Sequence, residues 1–397
     1  MRKHRADLVL AVLALVLMAL GLLIIFAVGP RVAQFENSQS GSNFSEKFFF
    51  MRHLFAVVLA VAAMITAYFV PYRLMQKFGL KILGVGFGLC IAVFLLGKIA
   101  PNSGLVTCDE GACRSFHLPG VGLGFQPVEI VKVGLLFYLP WLIRERRQQK
   151  ALKTRLFWVP LGIIAGLIGV LVAFGLKDFG STVVLFSMIF AMCLIGGVDL
   201  KQMGLALLVG LVGVVIMIVS SPHRLARIAS FGDNYHVENS LISLGTGGVV
   251  GVGLGNSIQA TGYLPEALSD SIFAIIGEVL GFVGAFGVVI IFACIVGRMI
   301  GISRRTEREE ESLFVIGAAA WIFAHAIINI GGMTGLIPVK GITLPFLSYG
   351  GTSMLFVAFA LGVVLQISGW TKREVIDENT TSRRGEWRPR HTGHRRR

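Results

Sequence analysis

The sequence predicts an all-α integral membrane protein of about ten transmembrane helices, each near the 20 apolar residues needed to cross a hydrocarbon core. Three observations carry the prediction. Hydrophobic residues make up 55% of the 397-residue chain and charged ones only 15%, against about 25% charged in soluble domains. Apolar runs recur at roughly 8–29, 52–72, 81–100, 126–143, 156–176, 181–198, 203–220, 271–297, 313–331 and 347–369. Most of the 36 Lys and Arg residues fall in alternate connections, which places both termini in the cytoplasm.

Taken in order, the first run follows MRKHRAD and is too long for an ordinary signal segment, so it reads as an uncleaved first span. Arg73, Lys77 and Lys81 mark the next cytoplasmic turn, and Arg144 to Arg155 the one after. Lys201 and the basic stretch from Arg298 to Arg308 mark two more. The tail SRRGEWRPRHTGHRRR is basic and disordered in this reading, suited to anionic lipid heads. The domain division is one polytopic membrane domain over 1–370 and a cytoplasmic tail over 371–397. Period-2 alternation is absent, which argues against a membrane barrel. The net charge of +14 is an orientation signal, and no nucleic-acid partner is expected.

Three outer segments are long, at about 30–51, 101–125 and 221–270, the last lying between helices 7 and 8. The last is too long to lack elements of its own, and its glycine-dense part, SLISLGTGGVVGVGLG, suits the membrane interface. No GxGxxG register or strand–helix context supports a nucleotide loop there. Cys108 and Cys113 share the CDEGAC loop, where a disulfide and free thiols are both open readings. No metal-ligand spacing of Cys and His occurs.

The chemistry-bearing residues cluster beside the outer ends of spans. Asp270, in LPEALSDSIFAII, immediately precedes one. It reads either as a helix N-cap or as a general base at the membrane surface. Glu266 lies one turn earlier, as a partner or an independent loop acid. Glu129 and Lys132, in FQPVEIVKVGLL, share a helix face at i and i+3. They read as a pair facing a polar cavity or as an interfacial salt bridge. Arg52, Arg114, Arg224 and Arg227 are outer-face cations able to meet a diphosphate or to anchor headgroups. Lys340 sits in GLIPVKGITLPFLSYGGTS, where Ser348, Tyr349 and two glycines open the last span.

These segments together resemble the SEDS family (shape, elongation, division and sporulation). The matching pieces are GVGLGNSIQATGYLPEALSDSIFAIIGEVLG, FQPVEIVK, KDFGST and GLIPVKGITLPFLSYGGTS, in the family's order and over most of the chain. PVKGITLP and GLGNSIQ…YLPEA look like the cell-division branch rather than the rod-elongation branch. The resemblance implies a peptidoglycan glycosyltransferase that joins lipid II units at the outer face of the bacterial cytoplasmic membrane, at the septum. It implies Asp270 as the catalytic carboxylate, and Arg52, Glu129, Lys132, Glu266, Lys340 and Ser348 as substrate-binding residues. It implies a nascent glycan strand, a class B penicillin-binding protein and other divisome membrane proteins as partners. No organic cofactor is implied; a divalent cation, Mg or Mn, is the one metal the reading admits. A lipid II flippase and a noncatalytic division scaffold are the alternatives. The family's usual PEAHTDFIF is PEALSDSIF here, with Leu268, Ser269 and Ser271 as departures, and QPSE is QPVE, with Val128. EPDxGT becomes LKDFGST, with Leu176 and Lys177, and an RRW-like loop becomes CRSF.

Overall fold

The computed structural model describes residues 6–41, 43–100, 104–109, 112–117, 124–205, 235–337 and 341–370. It is a bundle of helices. α1 runs Leu8–Ser40, α2 Phe48–Phe69, α3 Tyr72–Lys77 and α4 Gly79–Ile99. α5 is Pro127–Gln148, α6 is Arg155–Leu167 continued as a π-helix to Gly175, and α7 is Phe179–Ile195. α8 is Tyr235–Gly247, α9 Ile272–Arg305, α10 Glu309–Met333 and α11 Gly351–Ser368. Six of the described helices are long and apolar enough to cross a membrane, and α7 and α11 are shorter apolar helices. α5 has the length, but its charges set it apart. Helices occupy nine of the ten expected spans; the expected span 203–220 lies almost entirely outside the described residues, as does the tail from 371.

Local sequence sets the helix ends. Asp7 caps α1, its side chain accepting from Leu10 N, and Gly41 closes it in the left-handed conformation that favours glycine. Pro127 occupies the first turn of α5, where a missing N–H costs nothing. Asp178 caps α7 by accepting from Ser181 N. α9 breaks at Gly281 (φ 68°, ψ −167°), where the backbone of Val249 and Gly251 presses in and a Cβ would collide.

α10 is the central helix. Its span is 72% buried inside the protein, against 22–39% for the other five, so the lipid-facing surface belongs to the others. α11 packs along α2, α4 along α5, and α10 against both α7 and α9. At one end, ion pairs join Asp7 to Arg298, Arg144 to Glu310 and Arg147 to Glu309. These are residues of the connections that the Lys and Arg distribution assigns to the cytoplasm.

The opposite end holds two features that periodicity did not reveal. The segment before α5 folds into a small antiparallel sheet of β1 (Val106–Asp109), β2 (Ala112–His117) and β3 (Gly124–Phe125). Cys108 pairs with Cys113 across β1 and β2, and a disulfide joins them. The second feature is the glycine-dense stretch, where α8 lies against the start of α9. Gly247 N is followed by a turn in which Gly251 N donates to Gly247 O (2.7 Å). Val252 N and Gly253 N then donate to the carbonyls of Glu278 and Val279. Side chains on Gly247 or Gly251 would strike the α9 backbone, so glycine is needed for this close approach.

Candidate functional site

Asp270 lies in the turn just before α9. Ser271, not Asp270, takes the N-cap position, and no side-chain capping bond forms there. The Ser271 hydroxyl donates to Pro265 O (2.7 Å) and meets His236 Nε2 (2.6 Å). The capping reading of Asp270 is therefore corrected: the backbone turn, not its carboxylate, starts the helix. Asp270 Oδ2 instead points toward the loop before α11, where a Cβ on Gly341 would sit 3.2 Å away.

Asp270 is held by its backbone. Asn329 Nδ2, on α10, donates to Asp270 O and to Ile342 O, both at 2.6 Å. Tyr349 N donates to Leu268 O (2.8 Å). One α10 side chain thus fixes the Asp270 turn and the loop after Lys340 at the same time. Burial, followed by the nearby charge of Glu266, pushes the Asp270 carboxyl up to about 7; Arg114 opposes the shift and Asp178 adds to it. A carboxylate so placed exchanges a proton near neutral pH, as a general base must.

Glu266 is exposed, with positive φ, and accepts from the Ser269 hydroxyl at 2.6 Å. It acts on Asp270 through its field, as an independent loop acid. Arg114, on β2, donates to Lys177 O (3.2 Å) and so ties the sheet to the turn before α7. Ser348 is buried, and its hydroxyl accepts from Leu344 N (2.7 Å), so it closes a turn of the loop rather than presenting a hydroxyl to the crevice. Lys340, Arg224 and Arg227 lie outside the described residues.

Glu129 and Lys132 form a fully buried pair, Nζ to Oε1 2.7 Å, inside the bundle. The interfacial salt-bridge reading does not hold: neither side chain reaches the surface. Lys132 Nζ also meets His325 Nε2 (3.2 Å) and lies 5.3 Å from the centre of a Trp321 ring. A protonated lysine has only donors, so Nε2 accepts and the other nitrogen, Nδ1, donates to Thr343 O (3.2 Å). A polar chain therefore runs from Glu129 through Lys132 and His325 to the loop beside Asp270. His325 and Asn329 are one turn apart on α10, which places both on one face.

Sequence reasoning missed His325 and Asn329 because each looks like a lone polar residue in an apolar run. Their spacing, AHAIINIGG, was the available signal: i and i+4 put both on the stripe facing the loop. It also missed Glu278. This buried carboxylate accepts from Ser257 Oγ (2.6 Å), Ile258 N (2.8 Å) and Gln259 N (3.2 Å), all neutral donors. It anchors the glycine-dense segment to α9.

A bundle of helices long and apolar enough to cross a membrane, with the desolvated Asp270 carboxyl at one end, defines a multi-pass membrane protein. Comparison with known proteins gives the lineage. The chain belongs to the cell cycle protein family of FtsW, RodA and SpoVE, which matches residues 7–373. It is similar to a probable peptidoglycan glycosyltransferase FtsW of Coxiella burnetii, 33% identical over 91% of this chain and 96% of that protein. It is 31% identical to the stage V sporulation protein E of Bacillus subtilis, over 94% of this chain and 99% of that protein. The fold matches a chain of a peptidoglycan synthase complex solved for its coordination of polymerization and crosslinking (TM-score 0.69, 22% identity, 91% and 97% covered). It also matches the rod shape determining protein RodA of Thermus thermophilus (TM-score 0.65, 20% identity, 93% and 98% covered).

Proposed function

We propose that this protein polymerises peptidoglycan glycan strands from lipid II at the outer face of the bacterial cytoplasmic membrane. The observation that carries the reading is Asp270. It is a carboxyl pushed up to about 7, pinned through its backbone by Asn329 and facing the loop that follows Lys340. The curated relatives named as probable peptidoglycan glycosyltransferases support the same activity.

In this mechanism Asp270 removes the proton from the 4-hydroxyl of the acceptor's N-acetylglucosamine. The freed oxygen bonds to the anomeric carbon of the lipid-linked donor chain, and the bond from that carbon to the diphosphate oxygen breaks with inversion. Undecaprenyl diphosphate leaves with the bonding electrons, and the proton stays on Asp270 until solvent removes it. Cations offset the charge of the leaving group, with Arg52 and Arg114 in that role and Lys340 added by the family resemblance. Glu129 and Lys132 hold the polar interior behind the loop. The described residues gather no group of three or more His, Cys, Asp or Glu side chains; a divalent cation arriving with the substrate diphosphate would need only one or two carboxylates, and no step here runs through one.

The chain's place at the septum and its pairing with a class B penicillin-binding transpeptidase and other divisome membrane proteins belong to this proposal. A solved relative of the same fold comes from a complex that coordinates polymerization with crosslinking, which supports a transpeptidase partner. The test is purified protein given lipid II in detergent, alone and with the transpeptidase. Glycan chains made by the wild type and not by Asp270→Asn are the expected result. Lipid II moved across liposomes with no polymer made would favour a flippase. Division supported by Asp270→Asn would favour a scaffold.

A further inference from the structure

The turn that carries Asp270 needs support from outside. Glu266 sits at φ 48°, a left-handed conformation that costs a non-glycine residue energy and persists where the surroundings fix it. Asn329 and the backbone of Tyr349 hold one side of the turn, through the carbonyls of Asp270 and Leu268. Ser271 holds the other. Its hydroxyl donates to Pro265 O (2.7 Å) and so closes the loop around Glu266 and Asp270. His236, in the first turn of α8, meets the same hydroxyl through Nε2 at 2.6 Å. The hydroxyl has one proton and Pro265 O can only accept. That proton is committed to Pro265, so Nε2 carries a hydrogen and donates it to Ser271 Oγ. Burial pushes the ring below its usual value, against the pull of Glu266, so at pH 7 it is the neutral Nε2–H tautomer. Ser271 stands where the family's usual PEAHTDFIF has a phenylalanine, which could make neither bond.

We infer that His236 is a positioning residue for Asp270: acting through Ser271, it locks the turn from Pro265 to Ser271 and so fixes where the Asp270 carboxyl points. Docking of α8 has other means. Ser243 Oγ donates to Ala274 O on α9 (3.1 Å), and Ser240 Oγ lies 3.3 Å from Met333 Sδ on α10, both contacts buried. The His236 bond sits apart from these, at the start of α8, and its one partner named here is the residue next to Asp270. His236 touches no substrate in this role. It completes the set of supports, with Asn329 on α10 pulling on the Asp270 carbonyl and His236 on α8 holding the next residue from the other side. On the glycosyl-transfer reading, on which the kinetic consequence rests, the effect is on the reacting geometry. A misplacement of about 1 Å can cost about 10²-fold in rate.

The test uses the full-length protein in detergent, with lipid II polymerisation and amide hydrogen exchange read on the same samples. His236→Phe should lower kcat about tenfold or more with KM changed less than about twofold. His236→Gln, whose amide still donates to Ser271, should recover most of the loss. Ser271→Ala should match His236→Phe, and the double variant should fall no further than either, because all three remove one arrangement. Exchange in His236→Phe should quicken over residues 265–271 and stay unchanged over 240–247. The pH midpoint of the rate should move down from about 7 as water reaches the Asp270 carboxyl, with Glu266, Arg114 and Asp178 still in place around it. Melting temperatures and elution volumes matched to wild type show that the variants fold; Ser271→Ala, which removes a single oxygen, carries the test if His236→Phe does not. Wild-type kcat, pH midpoint and exchange in His236→Phe and Ser271→Ala overturn this role. So does a double variant whose losses multiply, since His236 would then act by a route other than Ser271. The two readings fail separately. A wild type that makes no glycan loses the polymerase reading, and exchange over 265–271 then decides whether His236 holds the turn. One that polymerises while both single variants match it loses the positioning role alone.

Discussion

Asn329 donates one amide to two carbonyls, those of Asp270 and Ile342, each at 2.6 Å. The reactive turn and the loop before α11 are therefore set by a single buried side chain of the most enclosed helix. Asn329→Asp keeps the size, removes the donor and turns an acceptor toward two carbonyls. Loss of a buried hydrogen bond of this kind costs about 1–3 kcal/mol. The expected outcome is a lower melting temperature and a fall in kcat larger than the change in KM, read in a lipid II polymerisation assay. Asn329→Ala should fall the same way but less far.

The Asp270 carboxyl, pushed up to about 7 by burial and by Glu266, sets the pH dependence. In the proposed mechanism Asp270 works as a base only when ionised, so the rate should rise with pH through about 7 and level off above it. Asp270→Asn should lose roughly 10²–10⁴ in rate and lose the acid limb with it. Glu266→Gln removes a neighbouring negative charge and should move the midpoint to lower pH. The stability sign is opposite to that of a salt-bridged acid. A folded-state value above the unfolded one means that ionisation opposes folding. The penalty is absent below the unfolded value near 3.8, grows between it and about 7, and is fully present above that. Asp270→Asn should therefore melt no lower than wild type at pH 8, as a thermal scan at two pH values would show.

Lys132 holds Glu129 and His325 together in a fully buried cluster. Removing one member of a buried ion pair typically costs about 3–5 kcal/mol, because the other charge stays unpaired. Lys132→Met should show that loss as a lowered melting temperature in detergent. The double variant Glu129→Gln with Lys132→Met should recover much of the stability and none of the polymerase activity. Full recovery of activity would assign the pair to packing alone.

Glu278 gathers Ser257 and the N–H groups of Ile258 and Gln259 beneath the glycine-dense segment. Removing a buried acceptor leaves its donors unsatisfied, at about 1–3 kcal/mol each. Glu278→Ala should release this segment, seen as faster amide hydrogen exchange over residues 247–260, with α4 and α5 unchanged. Glu278→Gln keeps one acceptor oxygen and should release it less.

Much of the fold was readable because membrane helices announce themselves through long apolar runs. The α10 run was found to within four residues of its ends, and the α9 run to within one residue at its start, though the helix continues eight residues past its expected end. The charged end was readable too, since Arg144, Arg298 and their neighbours pair with acids from other helices there. The small sheet was not, because its strands span four, six and two residues, too short to show a period-2 pattern, and the Cys108–Cys113 disulfide was only one of two open readings. At the site, the i, i+3 spacing announced Glu129 and Lys132. Asp270 alone could not separate cap from base; the position of Ser271 removes the cap reading. His325, Asn329 and His236 were hidden for a common reason. Each makes sense only through a partner on a segment distant in sequence, and a helical run displays its own periodicity, not its neighbours.

The bond between Cys108 and Cys113 carries a consequence for orientation. Such a bond persists in an oxidising compartment and not in a reducing cytosol. Arg114 follows Cys113 directly, reaches the turn at Lys177 and acts on Asp270 through its charge. The crosslink and the carboxylate therefore share one side of the membrane. The molecule carries a chemical compass: the redox state of two cysteines reports which compartment the reactive turn faces, independently of where its lysines and arginines lie.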